Sequence, residues 1–358
     1  MKTFEKIIGI IFLLFAIGFN LWIYRTEPTA KTDPNDNTFQ YALVDRTNQI
    51  WEYANKTCPK NLSPASRQGG FVICHLSFLS DHWVPNWAQG YNLPYYYSHI
   101  PQIAIVGSYR FLHWSIGLLG YSFIGLFTYY HYVIYLLLCF FPLSVFLALR
   151  ITGLSLASAG IGALLASHLS TDGLYGLDPA SFLWRGYGLS SQLFAMIWLP
   201  LAIAYSYRYF AQNSKHEALS SKQFSNSKFR VFPAIPAILA LTATTVGHLG
   251  IGIIAFMSVA VIAVSSYLYS ISYLGNLGDL GHLLKITIQK LFLLYGGVLL
   301  LLGYWIIPIL LGGNFHNISV WDPIWKFDSY GYRGVLKNLF NGDLFDFGRF
   351  PILTMLVG

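Results

Sequence analysis

The sequence predicts an all-α polytopic membrane protein, a helical bundle with a large first extracytoplasmic loop. Hydrophobic residues make up 55% of the 358 residues. Charged residues make up only 10%, against about 25% in soluble domains. The apolar residues are concentrated in long charge-free runs, and the mean hydropathy is +0.50. This composition argues against a soluble enzyme, a disordered chain and a small disulfide-stabilised domain.

The first apolar run, residues 7–24, follows Lys2 and Lys6 and contains no charged side chain. It is long for a signal peptide, and no small-x-small cleavage site follows it. Basic residues before a first span favour a cytoplasmic N-terminus. We therefore interpret residues 1–24 as a retained transmembrane anchor whose N-terminus lies inside.

Further charge-free runs predict six more spans in a transmembrane core over residues 121–310. They cover residues 122–149, 151–167, 189–207, 231–247, 249–272 and 291–310. A last apolar run, residues 350–358, is far shorter than the roughly 20 residues that a span needs. We expect it to be the start of a truncated span, and the chain to be a fragment.

The stretch 100–119 is apolar, but a span there would hold Arg110 in mid-membrane, which is costly. It would also move the basic loop 208–230 to the outside, against the positive-inside rule. We therefore predict an amphipathic helix that lies along the interface. On this topology residues 25–120 form the first extracytoplasmic loop, and residues 311–349 form the last one.

The formal net charge is +7, and the isoelectric point is near 9.1. On the predicted topology the excess of basic residues falls on the inner face, where the positive-inside rule places it. The charge therefore indicates orientation in a cell membrane, with membrane lipids as partners. No nucleic-acid partner is expected, because the basic residues are few and scattered.

Cys58 and Cys74 share the first outer loop, where the compartment permits a disulfide. Their separation in the sequence is compatible with one, and two free thiols are the alternative. Cys139 lies within a predicted span and is expected to pack there. His131, in the same span, is expected to be packed and hydrogen-bonded rather than to transfer protons.

Residues 81–101 form the densest polar and aromatic stretch of the chain. Asp81 is the only carboxylate in it, and His82 and His99 lie in the same stretch. An isolated acid beside histidines, near the lipid boundary, is a candidate general base. The alternative is structural: Asp81 caps a turn, and the aromatic residues anchor the loop at the interface.

The short outer loop 168–188 offers two acids, Asp172 and Asp178, and one arginine, Arg185. An arginine there can hold a phosphate through a forked pair of hydrogen bonds. A salt bridge from Arg185 to either acid is the alternative. The outer acids allow a divalent metal, but no ligand spacing indicates one.

The remaining candidates lie at span ends and in the last outer loop. His248 falls between two spans, where a hydrogen-bonded interfacial role is the more common one, and Arg333 is a further candidate for a substrate phosphate. Asp346 and Arg349 are three residues apart and can pair on one helical face, which is a structural role.

Several segments resemble one family of bacterial and archaeal membrane proteins. They are residues 85–94 with the tyrosines that follow, 191–201, 247–248, Pro308 and 344–354. Taken in this order, they resemble the proteins described as 6-pyruvoyl-tetrahydropterin synthase-related, from residue 70 to the end of the chain. The soluble synthase depends on a zinc-binding histidine cluster, which is not reproduced here. The membrane family is similar instead to the C-class glycosyltransferase (GT-C) architecture.

The resemblance implies a GT-C-like fold and transfer of a sugar from a polyprenyl-phosphate donor to an acceptor, with a first-loop carboxylate as base. Asp81 and His82 are then the catalytic candidates. The substrate-binding candidates are His99, Arg110, Asp172, Asp178, Arg185, His248 and Arg333. This sequence departs from the related loops, which carry Asp-x-x-x-His, because no acid precedes His75 at that spacing. The Asp81-His82 pair is the nearest substitute.

We favour an enzyme, and a non-enzymatic membrane protein on the same fold is the alternative. That protein would be a transporter, a flippase-like protein or an assembly subunit of cell-envelope biogenesis. Transport predicts ionisable residues inside the spans. The predicted spans contain no Asp, Glu, Lys or Arg, which weakens the transport alternative.

Overall fold

The structure, a computed structural model, consists almost entirely of helices in the part of the chain that it describes. The described residues are 2–32, 36–57, 74, 82–85, 91–93, 98–119, 124–167, 190–219, 232–274, 280–311 and 331–341. They fall into two compact units, Met1–Leu311 and Gly312–Gly358.

The first unit holds nine helices and one hairpin among its described residues. The helices are α1 (Lys2–Ile23), α2 (Asp36–Thr57), α3 (Ile100–Leu118), α4 (Leu126–Ile151), α5 (Leu156–Ser167), α6 (Ser190–Leu219), α7 (Ile235–Gly247), α8 (Leu249–Leu274) and α9 (Leu280–Leu311). The strands are β1 (His82–Val84) and β2 (Tyr91–Leu93), and short 3₁₀ turns cover Glu27–Thr29 and Phe232–Ala234.

Among the described residues, five helical segments are long and apolar enough to cross a membrane. They cover residues 4–29, 126–151, 191–211, 249–272 and 280–311. Together with the helical content, they confirm the prediction of an all-α, multi-pass membrane protein. Helix α3 has the helical structure that was predicted for this stretch. It is not one of the five candidate spans, and its position along the interface stays a prediction.

Two of the seven predicted spans are much shorter than the charge-free runs suggested. Helices α5 and α7 have 12 and 13 residues, or about 18–20 Å at 1.5 Å per residue. The hydrocarbon core is about 30 Å thick. The run 151–167 is broken after α4 because Gly153 adopts a left-handed backbone with φ of 99°. The run 231–247 begins with a 3₁₀ turn before α7.

Two other helices are longer than predicted. Helix α6 continues to Leu219, through the start of the predicted loop 208–230, and α9 begins at Leu280, before the predicted start at residue 291. Charged residues end an apolar run, but they do not end a helix, because Lys and Glu are good helix formers. Lys290 therefore lies inside α9, where its side chain is only 7% exposed.

The two larger apolar clusters among the described residues both include side chains of α6. One cluster is centred on α4, around Tyr130 and Leu138, and also includes residues of α1 and α5. The other lies among α6, α7, α8 and α9, around Phe210, Leu241 and Leu294. This shared packing of α6 joins the two halves of the first unit.

Helices α7 and α8 form an antiparallel hairpin on α6. The end of α7 touches the start of α6, where a Cβ on Gly247 would lie 2.8 Å from the Ala195 nitrogen. Near the other end of α8, the Ser266 hydroxyl donates to the Phe210 carbonyl of α6 over 3.4 Å. His248 is therefore at the turn, at the end of the bundle that the predicted topology assigns to the outside.

The second unit contains α10 (Gly331–Phe340) among its described residues. This helix lies inside the predicted outer loop 311–349 and was not predicted. Its exposed side chains include Arg333, Leu336, Lys337 and Phe340. The predicted truncated span 350–358 lies outside the described residues.

Candidate functional site in the first outer loop

Helix α2 is the scaffold of the predicted first outer loop. Its sequence is polar overall, yet one face is buried, at the spacing of about 3.6 residues that an amphipathic helix requires. The buried residues of this face are Asn37, Phe39, Gln40, Leu43, Val44, Thr47 and Ala54. This helix was not predicted, because its apolar positions are few and are separated by charged and polar residues.

The hairpin is fixed to α2 by one apolar and one polar contact. Strands β1 and β2 pair antiparallel, with Val84 opposite Tyr91. The Val84 side chain is fully buried and packs with Phe39 and Leu43 of α2. The Arg46 Nε donates a hydrogen bond of 2.8 Å to the Trp83 carbonyl. The strand that begins at His82 is therefore held against α2.

Helix α3 is held beside α2 by two polar contacts with matching spacing. The Gln102 side-chain nitrogen donates to the Gln40 side-chain oxygen at 3.3 Å, and Arg110 Nε donates to Asn48 Oδ1 at 2.8 Å. In each helix the two residues are eight positions apart, so the helices run side by side in the same direction. A second guanidinium nitrogen of Arg110 forms an ion pair with Glu52. Arg110 thus has a carboxylate partner in this structure, and its role in binding phosphate stays a prediction.

The start of α3 is joined to the end of α9. The Ser98 hydroxyl and the Tyr304 hydroxyl are 3.3 Å apart, and the His99 ring packs edge-on against the Tyr304 ring with centroids 5.8 Å apart. His99 is only 2% exposed. A substrate can reach this predicted binding residue only if the surrounding side chains move.

His248 caps the start of α8. Its Nδ1 accepts a hydrogen bond from the Ile251 backbone N–H at 3.3 Å. Because Nδ1 is the acceptor, the neutral tautomer carries its proton on Nε2. Burial lowers the pKa of His248 below its ordinary value. The structure therefore gives His248 a capping role and keeps its imidazole neutral at pH 7.

The other predicted site residues are divided between the described and the undescribed parts of the chain. Those outside the described residues are Asp81, Asp172, Asp178, Arg185, Cys58, Asp346 and Arg349. Cys74 is disulfide-bonded, and Cys139 is a buried free thiol, as its predicted packing role requires. Arg333 is exposed on α10 of the second unit.

A buried pair of ionisable residues joins the 3₁₀ turn that follows α1 to α4. The His131 Nδ1 and the Glu27 Oε1 are 2.9 Å apart, and both side chains are fully buried. The Phe127 and Tyr130 rings pack edge-on against the His131 ring. The predicted packed, hydrogen-bonded role of His131 is confirmed. Its partner was missed, because nothing in the sequence connects two residues so far apart.

A cavity of about 150 Å³ lies between α2, α3, α4 and α6. Its walls are mostly apolar, and the hydrogen-bonded pair Gln40 and Gln102 lies at its boundary. Ser191, in the first turn of α6, and Tyr130 of α4 also line it. The cavity was not predicted, because no residue pattern in the sequence indicates an unfilled space between helices.

The described residues do not supply a metal site. Among them, no three His, Cys, Asp or Glu side chains come together in a group that could hold an ion.

Comparison of the chain with protein-family models, curated proteins and solved structures gives no match. The resemblance to the synthase-related membrane family therefore stays a prediction from the sequence.

Proposed function

We propose that this chain is an integral membrane glycosyltransferase that transfers a sugar from a polyprenyl-phosphate donor to an acceptor at the extracytoplasmic face. The observation that carries the proposal is the fixed position of the first-loop hairpin. The strand that directly follows Asp81 in the sequence is held on α2 by Arg46 and Val84. A catalytic base needs such support, because a displacement of about 1 Å can reduce the rate a hundredfold.

In the proposed reaction Asp81 takes the proton of the acceptor hydroxyl. The acceptor oxygen forms a bond to the anomeric carbon, the bond from that carbon to the phosphate oxygen breaks, and polyprenyl phosphate leaves with the electron pair. A cation compensates the charge of the leaving phosphate. Arg185 is the first candidate for this cation, because Arg110 is paired with Glu52. His82 orients the acceptor.

The test is sugar transfer by the purified protein in lipid nanodiscs, with radiolabelled polyprenyl-phosphate sugars as donors. Asp81→Asn is expected to lower the rate by about 10²–10⁴-fold, the contribution of a positioned base. The matched control is Asp45→Asn, since Asp45 is also a first-loop acid and accepts a hydrogen bond from Gln49 at 2.8 Å. A wild-type rate in Asp81→Asn would show that Asp81 is not the base.

Ionisable residues inside the bundle favour a second candidate, a transporter or flippase-like protein. The predicted spans lack charged residues, but α9 includes the buried Lys290, and His131 of α4 is paired with Glu27. Ionisable residues at such positions are typical of transport pathways. Lipid scrambling in proteoliposomes that is lost in Lys290→Met, together with absence of sugar transfer, would support this candidate.

A further inference from the structure

Helix α10 of the second unit has an exposed face that is half apolar and half basic. Leu336 and Phe340 are 45% and 70% exposed, and the side chains of Arg333 and Lys337 are exposed as well. An α-helix turns by about 100° per residue, so these four positions fall within an arc of about 100°. On this arc the two apolar residues lie on one side and the two basic residues on the other.

The apolar half of this face favours a partner that takes it out of water. Single exposed apolar residues are ordinary on protein surfaces. Leu336 and Phe340, however, are four positions apart and are therefore neighbours on the helix surface. Removing the ring of Phe340 alone from water favours the covered state by about tenfold.

The basic half of the face favours an anionic partner. The ten residues of α10 include Arg333 and Lys337 and no Asp or Glu. The nearest carboxylates in the sequence, Asp328 and Asp343, lie outside the helix. Because Arg333 also has an interaction within the chain, Lys337 is the cation on which binding of an anionic partner depends most.

A lipid surface fits this face better than a protein does. A stable protein interface buries about 800 Å² per partner, from about 20–30 residues, and four side chains supply only a small part of that. At a bilayer surface the same side chains are sufficient, because apolar groups enter the acyl region while basic groups meet the lipid phosphates. The chain has candidate spans, and α10 follows one of them, α9, after residues 312–330. These residues reach at most about 70 Å, so α10 stays near the bilayer.

We propose that α10 lies on the membrane surface and binds anionic phospholipids, with Leu336 and Phe340 among the acyl chains and Lys337 and Arg333 at the phosphates. A helix of 10 residues is about 15 Å long, so it lies in the interface and does not cross the bilayer. This surface is independent of the proposed sugar transfer, and lipid binding can be found in a protein that transfers no sugar.

The test is photocrosslinking of the full chain in phosphatidylcholine nanodiscs. They contain a small fraction of a phosphatidylglycerol probe or a phosphatidylcholine probe, each with a diazirine on the acyl chain close to the headgroup. Mass spectrometry compares the labelling of residues 331–341 with the labelling of the spans. We expect the phosphatidylglycerol probe to label α10 at least about fivefold more strongly, since each basic residue near an anionic surface contributes about this factor.

Two variants separate the charge from the apolar contact. Lys337→Gln is expected to lower the labelling by phosphatidylglycerol about fivefold below saturation. Phe340→Ser is expected to lower the labelling by both probes about tenfold. The matched control is Lys56→Gln, because Lys56 is an exposed lysine in the last turn of α2, and it should leave the labelling of α10 unchanged.

A measurement on the wild type needs no variant. Raising the salt from about 0.1 M to about 1 M shortens the Debye length from about 10 Å to about 3 Å and should remove the preference for phosphatidylglycerol. Equal labelling by the two probes at low salt, or unchanged labelling in a folded Lys337→Gln, would overturn the proposal. So would labelled spans beside an unlabelled α10, because the face would then be covered by protein.

Discussion

The close contact between α1 and α5 predicts that Gly9 cannot carry a side chain. A Cβ on Gly9 would overlap the Leu156 carbonyl and lie 2.9 Å from the Ala157 nitrogen, and a Cβ on Gly160 would lie 2.9 Å from the Gly9 Cα. Non-bonded carbon atoms prefer about 3.5–4.0 Å, so the two helices must separate by about 0.6 Å or more. Small residues of this kind allow close packing of helices in membranes.

The cost follows from the contacts that the separation weakens. A gap of about 0.5–1 Å removes a quarter to a half of the dispersion energy of each contact. Overpacking of this kind costs about 1–3 kcal/mol. We therefore expect Gly9→Ala to lower the thermal midpoint by a few degrees, since about 1 kcal/mol corresponds to 2–4 °C in domains of 150–250 residues.

The assay is thermal unfolding of the purified protein in one detergent, followed by loss of the monodisperse peak in size-exclusion chromatography. Gly18→Ala is the control on the same helix, because a Cβ there meets nothing within 4 Å. It is expected to be neutral or slightly stabilising, as alanine favours helix over glycine. Equal midpoints for Gly9→Ala and Gly18→Ala would refute the close packing of α1 on α5.

Three further predictions concern the ionisable groups. Glu27→Ala, which removes one partner of a buried hydrogen bond to His131, should destabilise the protein by about 1–3 kcal/mol, and an unchanged thermal midpoint would contradict this. A double-mutant cycle on Arg110 and Glu52 should give a coupling energy below about 1 kcal/mol, because the pair is partly exposed to solvent; a larger value would mean that the pair is shielded. The pKa of His248 is lowered from 6.5 on folding, so the unfolded state binds the proton first as the pH falls. Stability should therefore decrease below about pH 6.5 and level off below the folded-state pKa. His248→Asn keeps a capping side chain and should remove this dependence of the thermal midpoint on pH. If the dependence persists in this variant, a group other than His248 causes it.

The sequence was sufficient to predict those helices whose physical signal is local. A long charge-free run must avoid water, so α1, α4 and α8 could be predicted from composition along the chain. The same signal overestimated the short helices α5 and α7, because a backbone turn at Gly153 and the 3₁₀ turn before α7 interrupt runs that remain apolar.

Most of the site depends on contacts between distant residues. The ion pair of Arg110 with Glu52 could not be predicted, because only the parallel packing of α2 and α3 brings the two residues together. His131 was correctly expected to be packed, but only the fold brings Glu27 to it. The cavity is a property of four helices together, and no single residue type indicates it.

Sugar transfer from a polyprenyl-phosphate donor is the proposed activity of the chain. The most direct measurement follows the purified wild-type chain in liposomes with a panel of radiolabelled polyprenyl-phosphate sugars and a membrane extract as the source of acceptor. The proposed reaction predicts that, for at least one donor, labelled acceptor and free polyprenyl phosphate accumulate in equal amounts. If no donor in the panel releases polyprenyl phosphate above the level of protein-free liposomes, the claim is contradicted.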